Sequence, residues 1–591
     1  MRILGISCYF HDAAAALLED GVLVAAAEEE RFTRKKHDFD FPENAIRFCL
    51  DRGNITGKDL DYAVFYEKPF AKFDRILRTS LQSFPRSYGM FAQGMRTWLL
   101  DKLWVKSTIA QSLGIDSSKI LFSEHHISHA ASAYFCSPFE EAAILTLDGV
   151  GEWSTATMGV GKGTNLDLTD ELRFPHSIGL LYSAFTAFLG FEVNEGEYKV
   201  MGMAPYGTPK YLDEVWKVVV QSGDGSFWLD PQYFSSHYST KRAYTSKFED
   251  LFGEPRIPDA PFFTENTNYP DYFGPRPRNY EELCAYNQRY ADIAASIQLV
   301  TEELMLEIAR ALHRQTGLSK LCMAGGVALN SVANNRILNE TPFQELYVQP
   351  SAGDGGGALG AALYAWNCAL GNSKRMVMDH AYWGQDYGVD EIRTALAETG
   401  AGGTFIEDQQ LLTDMTVERL TAGKVVGFFQ GRFEWGPRAL GNRSILADPR
   451  SASTKDLVNN KVKFREPFRP FAPAVLEESC EDYFVLPNPG QQMPARFMLL
   501  VVPVHDDKQE EIAAVNHMGT ARIQTVQQET NPIYYELIKK FGDATGVPVL
   551  LNTSFNVRGE PIVSSPADAI KTFAQSGIDS LVMGNFLIDK D

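Results

Sequence analysis

Two histidines four residues apart, His125 and His129, precede an apolar run that ends in Asp148, and these three side chains carry the clearest chemistry in the sequence. Helical spacing over 125–136 puts both imidazoles on one face, one turn apart. The run Ala142 to Leu147 reads as a buried strand that delivers Asp148 at its C-terminal end. Two imidazoles and a carboxylate, completed by one more oxygen ligand, suit a divalent transition metal such as iron, manganese or zinc. An H-x-x-x-H pair alone also describes two ordinary helix histidines, so its surroundings must decide.

Two further segments bear reactive groups. The loop from Ser7 to Ala14 holds His11 among small residues, where backbone could lie close to a ligand. Glu28 to His37 changes sign from acidic to basic within ten residues; it reads as a solvated charged face, with Lys36 the residue to watch as a catalytic group. In the second half, Gln430 to Ser444 and Lys461 to Phe471 interleave Arg432, Arg438, Arg443, Arg465 and Arg469, with Lys463, among glycine, proline and aromatics. Arginine forks bind phosphate bidentately and aromatic rings can stack a base, so in an acidic protein this pattern points to a pocket for concentrated negative charge. A basic groove for RNA is the alternative.

The elements that must position these groups repeat. Residues 3–27 read strand, turn, strand, with a hairpin at Glu19-Asp20-Gly21, and 142–160 repeat that grammar, which suggests two related halves. Leu321 to Asn330 and Leu346 to Gly360 each give a strand, glycines and a helix start, where main chain can approach an anion. Phe70 to Leu103 looks like a mostly helical insertion, 176–207 an amphipathic helix followed by the polar loop Asn194 to Lys199, 225–280 an irregular excursion, and Tyr286 to Thr316 a long helix. Gly371 to Arg375 suggests a linker, and Val549 to Leu551 a buried strand running into Asn552, Thr553, Ser554 and Asn556.

Composition narrows the function class. The 591 residues are 45% hydrophobic and 22% charged, enough for two or more domains with sizeable cores. A formal charge of −20 disfavours a broad phosphate-backbone footprint and hence general nucleic-acid binding. Seven scattered cysteines, never spaced C-x-x-C, indicate neither a disulfide framework nor a zinc ribbon and fit a reducing cytoplasm. No apolar run has the length of a membrane span, and His11 and Asp12 interrupt what would be a signal-peptide core.

The ordered set of Ser7–Ala14, H-x-x-x-H, Leu147-Asp148-Gly149-Val150-Gly151, Gly325–Asn330 and Ser351–Gly356 resembles the actin-like ATPase superfamily (ASKHA), in its threonylcarbamoyltransferase-like or Kae1-like branch. The whole chain is similar to the O-carbamoyltransferases of nodulation-factor and antibiotic biosynthesis. The resemblance implies an α/β and α+β protein: a Kae1-like transfer domain over 1–372, then a YrdC-like domain over 373–591 that makes carbamoyl-adenylate from ATP and carbamoyl phosphate. It maps the metal ligands, for Fe²⁺ or another divalent transition metal, to His125, His129, Asp148 and Asp354, and ties His11 of His11-Asp12-Ala13-Ala14-Ala15 to the transfer step. Nucleotide or carbamoyl-adenylate contacts in the first domain fall on Gly149, Gly151, Gly325, Gly326, Asn330 and Gly353. ATP and carbamoyl phosphate contacts in the second fall on the six basic residues above with Arg522, Asn552, Ser554 and Asn556. Mg²⁺ accompanies the ATP. The implied activity carries a carbamoyl group to a hydroxyl of a small-molecule acceptor, with no nucleic-acid or membrane partner and a homodimer as the candidate assembly. Two other functions stay open: threonylcarbamoylation of tRNA, and a non-catalytic actin-like nucleotide-binding protein.

Overall fold

A computed structural model describes residues 1–100, 102–267 and 269–590. The chain forms two compact units: 1–29, 39–266 and 279–377 make the first, and 30–38, 267–278 and 378–591 the second.

The first unit is built from two five-stranded sheets of one design. In one, Arg2–Ser7, Ala14–Glu19 and Val22–Glu28 form an antiparallel meander, and Tyr62–Phe65 and Ile120–Phe122 continue from Arg2–Ser7 in parallel. In the other, Glu141–Leu147, Ser154–Lys162 and Asn165–Arg173 form the meander, and Lys320–Ala324 and Glu345–Val348 the parallel wing. The repeat seen in the sequence is therefore a repeat of topology. Parallel strands need covered crossovers and so read as continuous apolar runs, which is why Ala142 to Leu147 is buried throughout.

Two helices pack together at the centre, His125–Tyr134 after the first wing and Asp354–Tyr364 after the second. Gly360 makes their approach close, since a Cβ there would stand 1.8 Å from Ser128 O. Both helices are small-residue-rich and buried nearly all round, as a central helix must be.

The insertion is helical, with Pro69–Gln82, Tyr88–Leu100 and Val105–Leu113. The long helix spans Tyr280–Thr316, starting ahead of the expected Tyr286 and ending at left-handed Gly317. The segment expected as the polar loop Asn194 to Lys199 folds from Glu197 into the helix Glu197–Met203, with Glu197 accepting from Ser183 Oγ at 2.8 Å. None of the helices among the described residues is long and apolar enough to cross a membrane.

The second unit is a mixed eight-stranded sheet, in the order Thr404–Phe405, Phe586–Asp589, Ser580–Met583, Val426–Phe429, Arg443–Ala447, Val549–Ser554, Ala472–Leu476, Gln524–Val526. Gln409–Thr421 and Pro532–Thr545 cover it, closing a core that includes Leu412, Leu420, Phe428, Tyr534, Leu537, Phe541 and Leu550.

The segment Glu28 to His37 differs from its reading as a solvated charged face. Glu28, Glu29 and Arg31 are buried. Within the second unit Arg31 donates to Gly436 O at 2.6 Å, and Arg34 to Pro561 O at 2.8 Å and Ile562 O at 2.5 Å. Arginines that satisfy backbone carbonyls are held in place by them, whatever the charge density of the stretch suggests.

Candidate active site

His125, His129, Asp148 and Asp354 converge in the first unit, all buried. His125 Nε2 stands 2.9 Å from Asp148 Oδ2, 3.1 Å from His129 Nε2 and 3.6 Å from Asp354 Oδ1. His129 Nε2 is 3.6 Å from Asp354 Oδ1 and 3.8 Å from Asp148 Oδ2. Four donors about 2.1 Å from one shared ion would stand roughly 3.0–3.4 Å apart, close to what is seen. Asp354 Oδ2 is buried without a hydrogen-bond partner, a costly state for a carboxylate oxygen unless a cation answers it. The donor set and its spacing fit a divalent transition metal.

A surrounding layer orients the four. Both oxygens of Glu152 accept from the N–H of His125, at 3.0 and 3.1 Å, and one accepts from Lys68 N–H at 2.7 Å. A carboxylate there also complements the positive end of the helix. Gly326 N–H donates to Asp148 Oδ1 at 3.0 Å, and Ser177 Oγ–H bridges the Asp148 and Gly149 carbonyls. His126 is a neutral tie: burial and its two histidine neighbours push its pKa down to about 3. Its rings pair with Thr146 Oγ1 at 2.6 Å and Ser154 O at 2.9 Å. Burial opposes charge on His129, yet Asp148 and Asp354 raise it to about 9. Burial likewise opposes charge on Asp148, and His125 and His129 bring it well below the carboxylate range. Sequence reasoning gave Glu152 and His126 no role; Glu152, four residues past Asp148, was the available signal.

His11 lies in the turn between the first two strands, its Nδ1 2.6 Å from Asp12 Oδ2. Burial works against its charge, but Asp12, with Asp354 and Asp148 behind it, raises it to about 9. An imidazole with that pKa is mostly protonated at neutral pH, unlike the ordinary histidine expected from the sequence.

The other residues expected at the first-domain site fall into different places. Gly149 and Gly353 have open space where a side chain would go. Gly325 has φ +97° and would drive a Cβ to 2.1 Å from Leu147 O, while Gly151 leaves room for His125 and His126. Asn330 caps the helix Ser331–Glu340 through Ala333 N–H and bonds Gln298.

In the second unit Lys463, Ser554 and Asn556 come together. Lys463 Nζ reaches Ser554 O at 2.6 Å, Asn556 Oδ1 at 2.7 Å and Asn556 O at 2.9 Å. Burial, reinforced by Arg465 and Arg469, holds its pKa well below that of an ordinary lysine. Arg443 is fully buried, stacked on Phe429, and donates to the carbonyls of Gln430, Asn442, Gly431, Gln385 and Ser564. Arg432 donates to Trp383 O and Gly384 O. Arg465 stacks on Phe471 and donates to Pro470 O, and Arg469 faces Glu466 at 3.6 Å. Asn552 is buried against Gln524 and Ala439 O. Arg438 and Arg522 are half-buried. Lys36 is half-buried between the left-handed residues Arg34 and His37.

Residues 2–363 match the family described as Carbamoyltransferase N-terminus, and 417–590 match Carbamoyltransferase C-terminus. The chain is 38% identical to nodulation protein NolNO of Sinorhizobium fredii, over 98% of this chain and 79% of that protein. It is 30% identical to the 3'-hydroxymethylcephem-O-carbamoyltransferase of Amycolatopsis lactamdurans, over 62% of this chain and 70% of that one. Component A of the (R)-2-hydroxyglutaryl-CoA dehydratase of Acidaminococcus fermentans aligns with 62% of the chain and 97% of its own, at 14% identity and a TM-score of 0.29, too remote to bear on chemistry. With both family regions matched in order along one polypeptide, the chain belongs to the carbamoyltransferase family.

Proposed function

We propose that this carbamoyltransferase moves the carbamoyl group of carbamoyl phosphate to a hydroxyl of a small-molecule acceptor by way of carbamoyl-adenylate. The second unit, taken as YrdC-like, forms the adenylate: carbamoyl phosphate, water and ATP, the last with Mg²⁺, give carbamoyl-adenylate, phosphate and pyrophosphate. The first unit uses it. The buried His125, His129, Asp148 and Asp354 tetrad, in the same unit as the His11 turn, is the observation that carries the reading.

A metal held by those four residues, iron in the family's pattern, would act as a Lewis acid toward the carbamoyl and phosphate oxygens. The protein's own groups do the rest. Glu152 and Gly326 fix His125 and Asp148, so the donors converge without rearrangement. Asp12 holds the Nδ1 side of His11 and so orients the imidazole. With a cation at the tetrad offsetting Asp148 and Asp354, the His11 imidazole would be available in its neutral form; the acceptor oxygen attacks the carbamoyl carbon, its proton passes to that imidazole, and the C–O bond to AMP breaks. Gly149 and Gly353, with open space beside them, let main chain approach the adenylate. In the second unit Arg438 and Arg522 bind the anionic substrates, while Arg443 and the Lys463–Ser554–Asn556 knot hold the shape of the pocket.

Purified protein given ATP, Mg²⁺ and carbamoyl phosphate tests this. Pyrophosphate release should depend on carbamoyl phosphate, and mass spectrometry against a panel of amino sugars, acyl-oligosaccharides and polyketides should show one added carbamoyl group. Pyrophosphate release indifferent to carbamoyl phosphate would sink the reading.

A further inference from the structure

The helical insertion brings buried positive charge to the neighbourhood of the tetrad. Lys72 is paired with Glu67 at 2.6 Å, and the same Glu67 oxygen lies 3.9 Å from His125 Nδ1. Arg75, one turn beyond Lys72, is only 8% exposed. Its Nη1 is buried without a hydrogen-bond partner, and its guanidinium makes no hydrogen bond among the described residues, lying 5.1 Å over the ring of Phe174. Lys102, half-buried in the short turn Lys102–Trp104 of the same insertion, also has no hydrogen bond or ion pair among the described residues. Burial lowers Lys102 to about 8, with Lys72 as a further cause, and lowers Arg75 to about 10, with Glu67 and Glu152 opposing.

The charges do not balance. Glu67 answers Lys72, and Glu152 is committed to the backbone N–H groups of His125 and Lys68. Arg75, buried, and Lys102, half-buried, are left without a hydrogen-bonded or ion-paired anion among the described residues, and at Arg75 an unanswered charge is costly. Planar guanidinium donors suit two oxygens of one group, and a nearby ammonium adds a point charge.

We propose that Arg75 and Lys102 form a subsite for an oxyanion, a carboxylate or a phosphate ester, carried by the acceptor. Assigning the anion to the acceptor rests on the carbamoyl-transfer reading; the existence of the subsite does not, and it is tested by binding alone. The metal-loaded full chain is titrated with acetate, inorganic phosphate and AMP, with thermal unfolding as the readout. Arg75→Met and Lys102→Met are compared with wild type. Apparent affinity for acetate or for inorganic phosphate should fall about tenfold to a hundredfold in each variant. Loss confined to acetate assigns a carboxylate, and loss confined to inorganic phosphate a phosphate ester. Removing a charge that has no partner should also leave the anion-free variants as stable as wild type or more so. Equal anion affinity in wild type and both variants would overturn the subsite. So would an Arg75→Met protein less stable than wild type with an unchanged anion response, since the guanidinium would then be structural. An effect on AMP alone would assign the cations to the carbamoyl donor and overturn the acceptor subsite.

Discussion

His125 and Asp354 occupy equivalent positions in the two halves of the first unit: each is the first residue of the helix that follows its half's outer parallel strand. The turn holding Asp12 and the turn holding Asp148 correspond in the same way, each joining the first two strands of its meander. The repeat has diverged at its centre, carrying histidine in one copy and carboxylate in the other. A pair of imidazoles with a pair of carboxylates is a mixed donor set that neither half could offer alone.

Metal content should follow that geometry. His129→Ala and Asp354→Asn should each lower occupancy sharply while the far-UV circular dichroism is retained, because the ligands come from separately folded segments. Elemental analysis of the purified variants checks this, and full stoichiometric metal in either would refute the ligand assignment.

The charge state of His11 gives a second expectation. In metal-stripped protein its ring should titrate near 9, measurable by nuclear magnetic resonance with labelled histidine. A group raised in the folded state stabilises below its unfolded value, near 6.5, and loses that contribution as pH climbs through about 9. Asp148 and Asp354 contribute to the rise, so loading with Zn²⁺ should lower it toward neutrality. A pKa that ignores the metal would mean Asp12 alone sets it.

His11→Asn should still release pyrophosphate but lose carbamoyl transfer by about 10²-fold or more, the usual range for a removed general base. Transfer at the wild-type rate would make His11 a structural residue.

The second-unit arginines should separate. Arg443→Ala strips one cation from five carbonyls and should cost about 3–5 kcal/mol of stability, seen in urea unfolding. Arg438→Ala should fold normally and lose carbamoyl-dependent pyrophosphate release. If both variants keep wild-type stability and both lose activity, Arg443 belongs to the substrate site as well.

Gly325→Ala offers a further stability test in the first unit. Its left-handed backbone costs an alanine about 1–3 kcal/mol, before the clash with Leu147 O is counted. Gly149→Ala, with open space around it, should unfold at the wild-type temperature.

Three members of the buried tetrad, His125, His129 and Asp148, were legible because their signals are local in sequence, a one-turn histidine spacing and an aspartate at the end of an all-apolar strand, whereas Asp354 came only from the family resemblance. The duplicated meander was legible for a similar reason, since alternation and turns are short-range signals. Arg443 and Arg432 were not, because an arginine that cradles carbonyls and one that binds phosphate have the same composition around them. The carbonyls they cradle lie 12 to 121 residues away, apart from that of Asn442 beside Arg443, and show only in the fold. Glu28 to His37 was misread for a related reason: its Arg31 and Arg34 donate to backbone carbonyls, and no periodicity reports that. The insertion's unanswered cations were equally hidden, since a helix bearing Lys72 and Arg75 reads as an ordinary polar face until burial is known.

The contact of Gly360 with the Ser128 carbonyl has a mechanical meaning. Two helices that meet backbone to backbone cannot slide along one another without collision, so shear between the halves of the first unit is blocked at its middle. What remains is rotation about the crossing point, which moves peripheral loops through large arcs and the helix starts through small ones. The residues that begin those two helices are His125 and Asp354, so two members of the buried tetrad sit at the starts of the helices whose contact is that pivot.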